Sequence, residues 1–118
     1  MAESIMLNKA KDFAVEIINL CRHIKTVNKE SVLTNQLIRS GTSIGANIHE
    51  SKYAHSPVDF VSKMQIALKE CYESEYWLEL LNRTGYLCDE QYKILRNDCG
   101  VIRRMLISSI NTVKENKE

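Results

Sequence analysis

The sequence predicts an all-α fold, an antiparallel up-down-up-down four-helix bundle, and three observations support this prediction. Apolar residues recur at steps of three and four along four segments, as they do on one face of a helix. No segment shows the alternation of apolar and polar residues that is typical of a half-buried strand. One proline and four glycines among 118 residues leave little material for turns. Short links between long helices place sequence neighbours antiparallel, within one domain covering residues 1–118.

The first helix is predicted over residues 8–26 and the second over residues 31–54. Ser31 is the predicted N-cap of the second helix, because its hydroxyl can accept a hydrogen bond from the free amides of the first turn. The apolar stripe of the first helix consists of Phe13, Ile17, Leu20 and Ile24. The stripe of the second consists of Leu33, Leu37, Gly41, Ile44 and Ile48.

The third helix is predicted over residues 57–84 and the fourth over residues 88–114. Ser56 can cap the third helix, Pro57 suits its first position, and Gly85 can end it in the left-handed conformation. The stripe of the third helix consists of Phe60, Met64, Ala67, Cys71, Ser74, Leu78 and Leu81. That of the fourth consists of Leu95, Cys99, Ile102, Leu106, Ser109 and Val113. The last four residues are expected to fray.

Charge and cysteine content restrict the classes of function. The formal net charge is +1, so binding to nucleic acid or to a membrane surface would need a local basic patch. Charged residues interrupt the first twenty positions, which predicts neither a signal peptide nor a membrane span and favours the cytoplasm. The four cysteines form no CxxC pair, and three lie on the predicted stripes. They are therefore predicted to be buried free thiols rather than disulfides or metal ligands.

Residues 36–50 read QLIRSGTSIGANIHE, and residues 59–70 read DFVSKMQIALKE. Together with Asp12, Phe13 and Ala14, these stretches resemble a bacterial four-helix-bundle family, the 23S rRNA-intervening sequence proteins, also called S23 ribosomal proteins. The resemblance implies a cytosolic bundle that assembles into a homopentameric ring, in a family whose cellular role is mostly unassigned. One similar branch is the accessory variability determinant of diversity-generating retroelements, a basic ring that binds nucleic acid and a reverse transcriptase. The net charge of this chain departs from that branch.

Gly41 and Gly45 lie one turn apart in the second helix, where each costs about 1 kcal/mol relative to alanine. This spacing predicts close packing against a neighbouring helix, with a ligand or subunit contact as the alternative. A phosphate-binding loop is disfavoured, because no strand precedes the glycines and no lysine follows at the required position.

A cluster of glutamates on the second and third helices raises a third and least favoured hypothesis, a carboxylate-bridged metal enzyme. The residues concerned are Glu50, Glu70, Glu73, Glu75 and Glu79. No Glu-x-x-His pair accompanies them, and their spacing divides them between two flanks of the third helix. The sequence therefore predicts no metal and no cofactor, and it predicts an ion pair between Arg39 and one of these carboxylates.

Two further groups are candidate interaction sites. The candidate oligomer interface consists of Tyr72, Tyr76 and Trp77 together with Arg39, Glu70 and Glu73. For the three aromatic residues, the alternative is packing in the core. The candidate nucleic-acid contacts are basic residues predicted on the side of the fourth helix opposite its stripe, namely Lys93, Arg96, Arg103 and Arg104. The alternative is that this side is a solvated outer face. No catalytic constellation and no small-molecule site is evident in the sequence. The predicted function is thus a non-enzymatic oligomeric scaffold or accessory protein, with a nucleic-acid-binding accessory factor as the alternative.

Overall fold

The computed structural model describes residues 2–116, and the side chains of residues 5–116 within them. Four helices account for most of this part of the chain: α1 (Ala2–Asn28), α2 (Val32–Ser51), α3 (Pro57–Arg83) and α4 (Asp89–Asn116). Each helix packs against the next, and α4 returns to α1, which closes a bundle of 51 × 22 × 20 Å. No strand occurs among the described residues. The predicted fold class is confirmed.

The four stripes meet in one core, in which Phe13, Ile17, Leu78 and Leu106 are almost completely buried. The prediction for the end of α4 was wrong in detail, because Ile110 is buried there while Ser109 and Val113 are only half-buried. Ile110 follows Leu106 by four residues and so lies on the same face, and its larger apolar side chain gains more from burial than a serine. Phe60 is half-buried and packs against the core from the start of α3.

The ends of α3 follow the predicted chemistry. Ser56 Oγ accepts a hydrogen bond from the Asp59 amide at 3.0 Å, Pro57 occupies the first helical position, and Gly85 has a φ of 87°. The proline lacks the amide that would have no partner in the first turn, and glycine adopts the left-handed conformation without a steric cost. Both predicted ends are confirmed.

The start of α2 differs from its prediction. Ser31 makes no side-chain capping bond; instead, the Glu30 carboxylate accepts hydrogen bonds from the amides of Leu33, at 2.8 Å, and Thr34, at 3.0 Å. Burial by itself would raise the pKa of Glu30, but these amide donors outweigh it and lower the pKa. A glutamate side chain is long enough to reach the free amides from one position earlier, so it replaces the serine as the cap.

Other helix ends are displaced from the predicted bounds. The first helix begins at Ala2 rather than at residue 8, since Met6 and Leu7 extend its buried stripe. The second ends at Ser51 rather than at residue 54, because the Tyr53 and Ala54 amides bond to carbonyls only three residues back. Helix α4 continues to Asn116, and the expected fraying of residues 117 and 118 lies outside the described residues.

Three of the four cysteines, Cys21, Cys71 and Cys99, are buried, as their places on the apolar stripes predicted. Cys88 is exposed immediately before α4. Of the four seams between neighbouring helices, the α1–α4 seam is the most open. No helix in the described part of the chain is long and apolar enough to cross a membrane.

Candidate interaction surfaces

Arg39 joins α2 to α3 through two carboxylates. Its guanidinium donates hydrogen bonds to Glu70, at 3.3 Å, and to Glu73. The Glu73 carboxylate also accepts a hydrogen bond from the indole Nε1 of Trp77, at 3.1 Å. The Arg39 side chain is 49% exposed, whereas those of Glu70 and Glu73 are 12% and 28% exposed. The predicted ion pair is present, and these four residues form what we call the Arg39 network.

The aromatic residues of α3 divide between core and surface. Trp77 is half-buried and packs against the core, so part of its ring fits the core-packing alternative. Tyr72 and Tyr76 are 51% and 54% exposed, and the rings of Tyr76 and Trp77 meet edge to face with centroids 5.0 Å apart. Lys69 is exposed seven residues before Tyr76 and hence lies on the same side of the helix. We call Lys69, Tyr72 and Tyr76 the α3 ridge.

The basic residues of α4 do not all lie on one outer side. Arg103 Nε donates to Glu75 of α3 at 2.9 Å, and its guanidinium lies over the Tyr72 ring, 5.5 Å from the centroid. The hydrogen bond from Arg103 to Glu75 raises the pKa of the arginine, so the pair holds its charge. The predicted outer position of Arg103 was wrong: the residue directly follows Ile102 and lies on the flank of the stripe that faces α3.

The other three basic residues lie at the surface. Lys93, Arg96 and Arg104 are exposed, and Arg96 lies over the Tyr92 ring, 5.1 Å from its centroid. The guanidinium of Arg104 covers Gly100, where an added Cβ would lie 3.3 Å from Arg104 Nη1. These three cations therefore remain available to an external anion.

The glutamates considered as metal ligands take part in ion pairs along the flanks. Besides the Arg39 network, Glu50 pairs with Lys63 at 3.2 Å, Glu75 with Arg103 at 2.9 Å, and Glu79 with Arg83 at 3.2 Å. Among residues 5–116 no group of three or more His, Cys, Asp or Glu side chains could hold a metal ion. The chemistry of this surface is therefore that of charge pairing.

A groove follows the open α1–α4 seam, and sequence reasoning missed it. Three neighbouring cavities of about 530, 570 and 350 Å³ lie along it. The carboxylates of Asp12, Glu16 and Asp98 line it together with apolar groups of Val15 and Val101. Burial and the negative charges of the nearby Asp98 and Asp12 carboxylates raise the pKa of Glu16. We call this feature the α1–α4 groove.

The four-residue spacing of Asp12 and Glu16 was the available signal for the groove, since it places both carboxylates on one side of α1. The sequence does not show that Asp98 of α4 faces the same seam, because helical periodicity gives the direction of a flank but not its neighbour. The seam is open because α1 and α4 pack less closely than the other pairs of neighbouring helices. A single sequence does not reveal how closely two helices pack.

The model of the family described as the 23S rRNA-intervening sequence protein matches residues 2–108. This chain belongs to that family. A similar structure is the crystal structure of a protein with unknown function from the S23 ribosomal protein family of Bacteroides thetaiotaomicron. The two sequences are 49% identical, the match covers 94% of this chain and 99% of that chain, and the TM-score is 0.92. No curated protein matches the chain.

In this member of the family, the stretch that carries the resemblance includes two glycines of α2 that face α1. A Cβ added at Gly41 would lie 3.1 Å from Cγ2 of Ile17, and one added at Gly45 would lie 3.5 Å from Cβ of Ala10. Both glycines are buried. The missing side chain of Gly41 thus allows Ile17 to lie close to the backbone of α2, whereas a methyl group at Gly45 would meet α1 at an ordinary contact distance.

Proposed function

We propose that this chain is a self-associating helical bundle that acts as a scaffold or accessory protein, by association rather than by catalysis. The observation that carries the proposal is the pair of half-exposed tyrosines, Tyr72 and Tyr76, beside the Arg39 network on one face of α3. Tyrosine, tryptophan and arginine are the residues most enriched where proteins bind one another.

The face is already ordered before a partner arrives. Glu73 is held by Arg39 and by Trp77, and the Trp77 ring supports Tyr76 from the side. Side chains that are fixed in this way lose little conformational entropy on binding, so more of the interaction free energy appears as affinity. The resemblance to ring-forming relatives supports a homopentamer as the assembly.

Light scattering on the purified chain at micromolar concentration tests the proposal. We expect a mass five times the 13.6 kDa of one chain. Replacing both ridge tyrosines, Tyr72→Ser and Tyr76→Ser, should shift the assembly towards monomers while circular dichroism still shows a helical bundle. Tyr53→Ser is the matched control, because Tyr53 is 75% exposed but lies at the end of the bundle, after α2. A monomeric parent chain, or equal effects of ridge and control substitutions, would contradict the proposal.

Nucleic-acid binding is a second candidate, and the exposed cations Lys93, Arg96 and Arg104 favour it. Phosphate contacts by these residues would weaken as salt is added, because binding releases condensed counterions. A gel shift of RNA or DNA that weakens with salt and with Arg96→Gln and Arg104→Gln would support this candidate. Arg103→Gln is the control, because Arg103 is occupied by Glu75. Absence of a shift at low salt would exclude nucleic-acid binding by this chain through this face.

A further inference from the structure

The α1–α4 groove holds three carboxylates that form no ion pair. Within the described part of the chain, Asp12, Glu16 and Asp98 take part in none of the six ion pairs. Two cations also line the groove, Lys9 beside these carboxylates and Arg104 in the neighbouring cavity, but neither reaches an ion-pair distance from them. Like charges gathered in a half-enclosed groove repel one another, and a cation supplied from outside would relieve that repulsion.

The groove also offers apolar surface to a partner. Val15 and Ile94 are 57% and 53% exposed at its rims, and Val101 and Met105 line it from α4. Burial of such surface against an aromatic side chain removes apolar area from water and so stabilises a complex. A fitting partner therefore combines an exposed cation with exposed aromatic rings.

The α3 ridge of the same chain has this composition. Lys69 forms no ion pair among the described residues, and it lies roughly 10 Å along the helix from Tyr76, with Tyr72 between them. The three cavities of the groove extend over a longer stretch, from Met6 to His23 along α1. Because α3 contacts α2 and α4 but not α1, the ridge and the groove lie on different sides of the bundle.

We propose that the α1–α4 groove of one copy receives the α3 ridge of a second copy, with Lys69 placed against Glu16 and Asp98 and the ridge tyrosines against the apolar rims. The inference rests on the proposed self-association and names its acceptor surface. Since the contact joins two different surfaces, it is heterologous: each copy uses its ridge towards one neighbour and its groove towards the other. Repetition of such a contact closes a ring when the rotation between copies allows it.

Charge reversal tests the pairing. Lys69→Glu and Asp98→Lys should each raise the concentration at which the assembly half-dissociates by about tenfold or more, since each places like charges in contact. The double variant Lys69→Glu with Asp98→Lys should regain the parent mass, because the ridge carboxylate of each copy then meets the new lysine in the groove of its neighbour. Lys93→Glu, an exposed cation of α4 outside the ridge, is the control and should leave the mass unchanged. A circular dichroism spectrum of each variant monitors the bundle.

Cysteine cross-linking provides a second measurement that does not depend on charge reversal. In a Cys88→Ser background, chains carrying Lys69→Cys should form a disulfide-linked dimer with chains carrying Asp98→Cys, and neither variant should do so alone. Two results with an oligomeric parent chain would overturn the ridge-in-groove contact but not the self-association. In the first, the single charge reversals have no effect on assembly. In the second, they weaken assembly and the double variant does not restore it. A monomeric parent would overturn the self-association as well.

Discussion

The hydroxyls of Ser40 and Ser74 meet at 2.9 Å in the seam between α2 and α3, where both side chains are completely buried. Ser40 has one further, longer contact, to the Leu37 carbonyl at 3.4 Å. A buried hydroxyl without a partner destabilises a protein, whereas a satisfied pair contributes modestly and fixes the register of the two helices. This pair ties together the two helices that carry the Arg39 network.

Substitution of both serines by alanine should therefore cost less than the two single substitutions added together. Ser74→Ala leaves the Ser40 hydroxyl with only its long contact and should lower the free energy of unfolding by about 1 kcal/mol. The double variant removes both hydroxyls and should lose less than the sum of the single losses. Urea unfolding of the parent chain, the two single variants and the double variant measures these losses. Strictly additive losses would show that the hydroxyls are not coupled.

Alanine substitutions at the two glycines of α2 should have opposite signs. Gly45→Ala should raise the free energy of unfolding by about 0.5–1 kcal/mol, because alanine favours the helix and its Cβ meets Ala10 at an ordinary distance. Gly41→Ala gains the same propensity but pushes a Cβ to 3.1 Å from Ile17, and overpacking of this kind costs about 1–3 kcal/mol. Thermal unfolding of both variants and of the parent chain tests these two signs. A stabilised Gly41→Ala variant would mean that Ile17 can move aside to accommodate the new methyl group.

The sequence was sufficient for the fold and for those helix ends whose cap is a small residue at a fixed position. Ser56, Pro57 and Gly85 act through the backbone next to them, so their roles were readable. Where two residues compete for one position, the outcome depends on packing. Glu30 replaced Ser31 as the cap of α2 for this reason.

For the candidate sites, helical periodicity predicted the flank of the helix on which each residue lies, but not the residue that it contacts. Arg39 was correctly expected to meet a carboxylate, whereas Arg103 was placed outside although it faces Glu75. The groove was missed because Asp98 and Glu16 belong to helices far apart in sequence, and only their packing brings them to one seam.

The raised pKa of Glu16 leads to a pH-dependent stability. The folded chain binds this proton more tightly than the unfolded chain, so ionised Glu16 lowers stability at neutral pH, and the effect vanishes as the pH falls below the ordinary value of about 4.5. Glu16→Gln should raise the free energy of unfolding at pH 7 by a few tenths of a kcal/mol, since solvent screens the exposed group. Urea unfolding between pH 7 and pH 4 should show that the stability gained by Glu16→Gln disappears as the pH falls. Glu115→Gln is the control. An equal gain in stability from Glu115→Gln would show that the groove does not cause the effect.

Thiol reactivity should single out one cysteine. Cys88 is exposed, whereas burial raises the pKa of Cys21 to about 12, and hydrogen bonding and burial also raise the pKa of Cys99. The reactive form is the thiolate, so a chromogenic disulfide reagent at pH 8 should modify one thiol per native chain and four in denaturant. Cys88→Ser should abolish the fast reaction and Cys21→Ser should preserve it; rapid reaction of more than one thiol would contradict the packed core.

Native mass spectrometry of the unaltered chain, across a concentration series that spans the micromolar range, tests self-association most directly. We predict a discrete species at five times 13.6 kDa that gives way to single chains on dilution. A single-chain mass at every concentration would contradict the account.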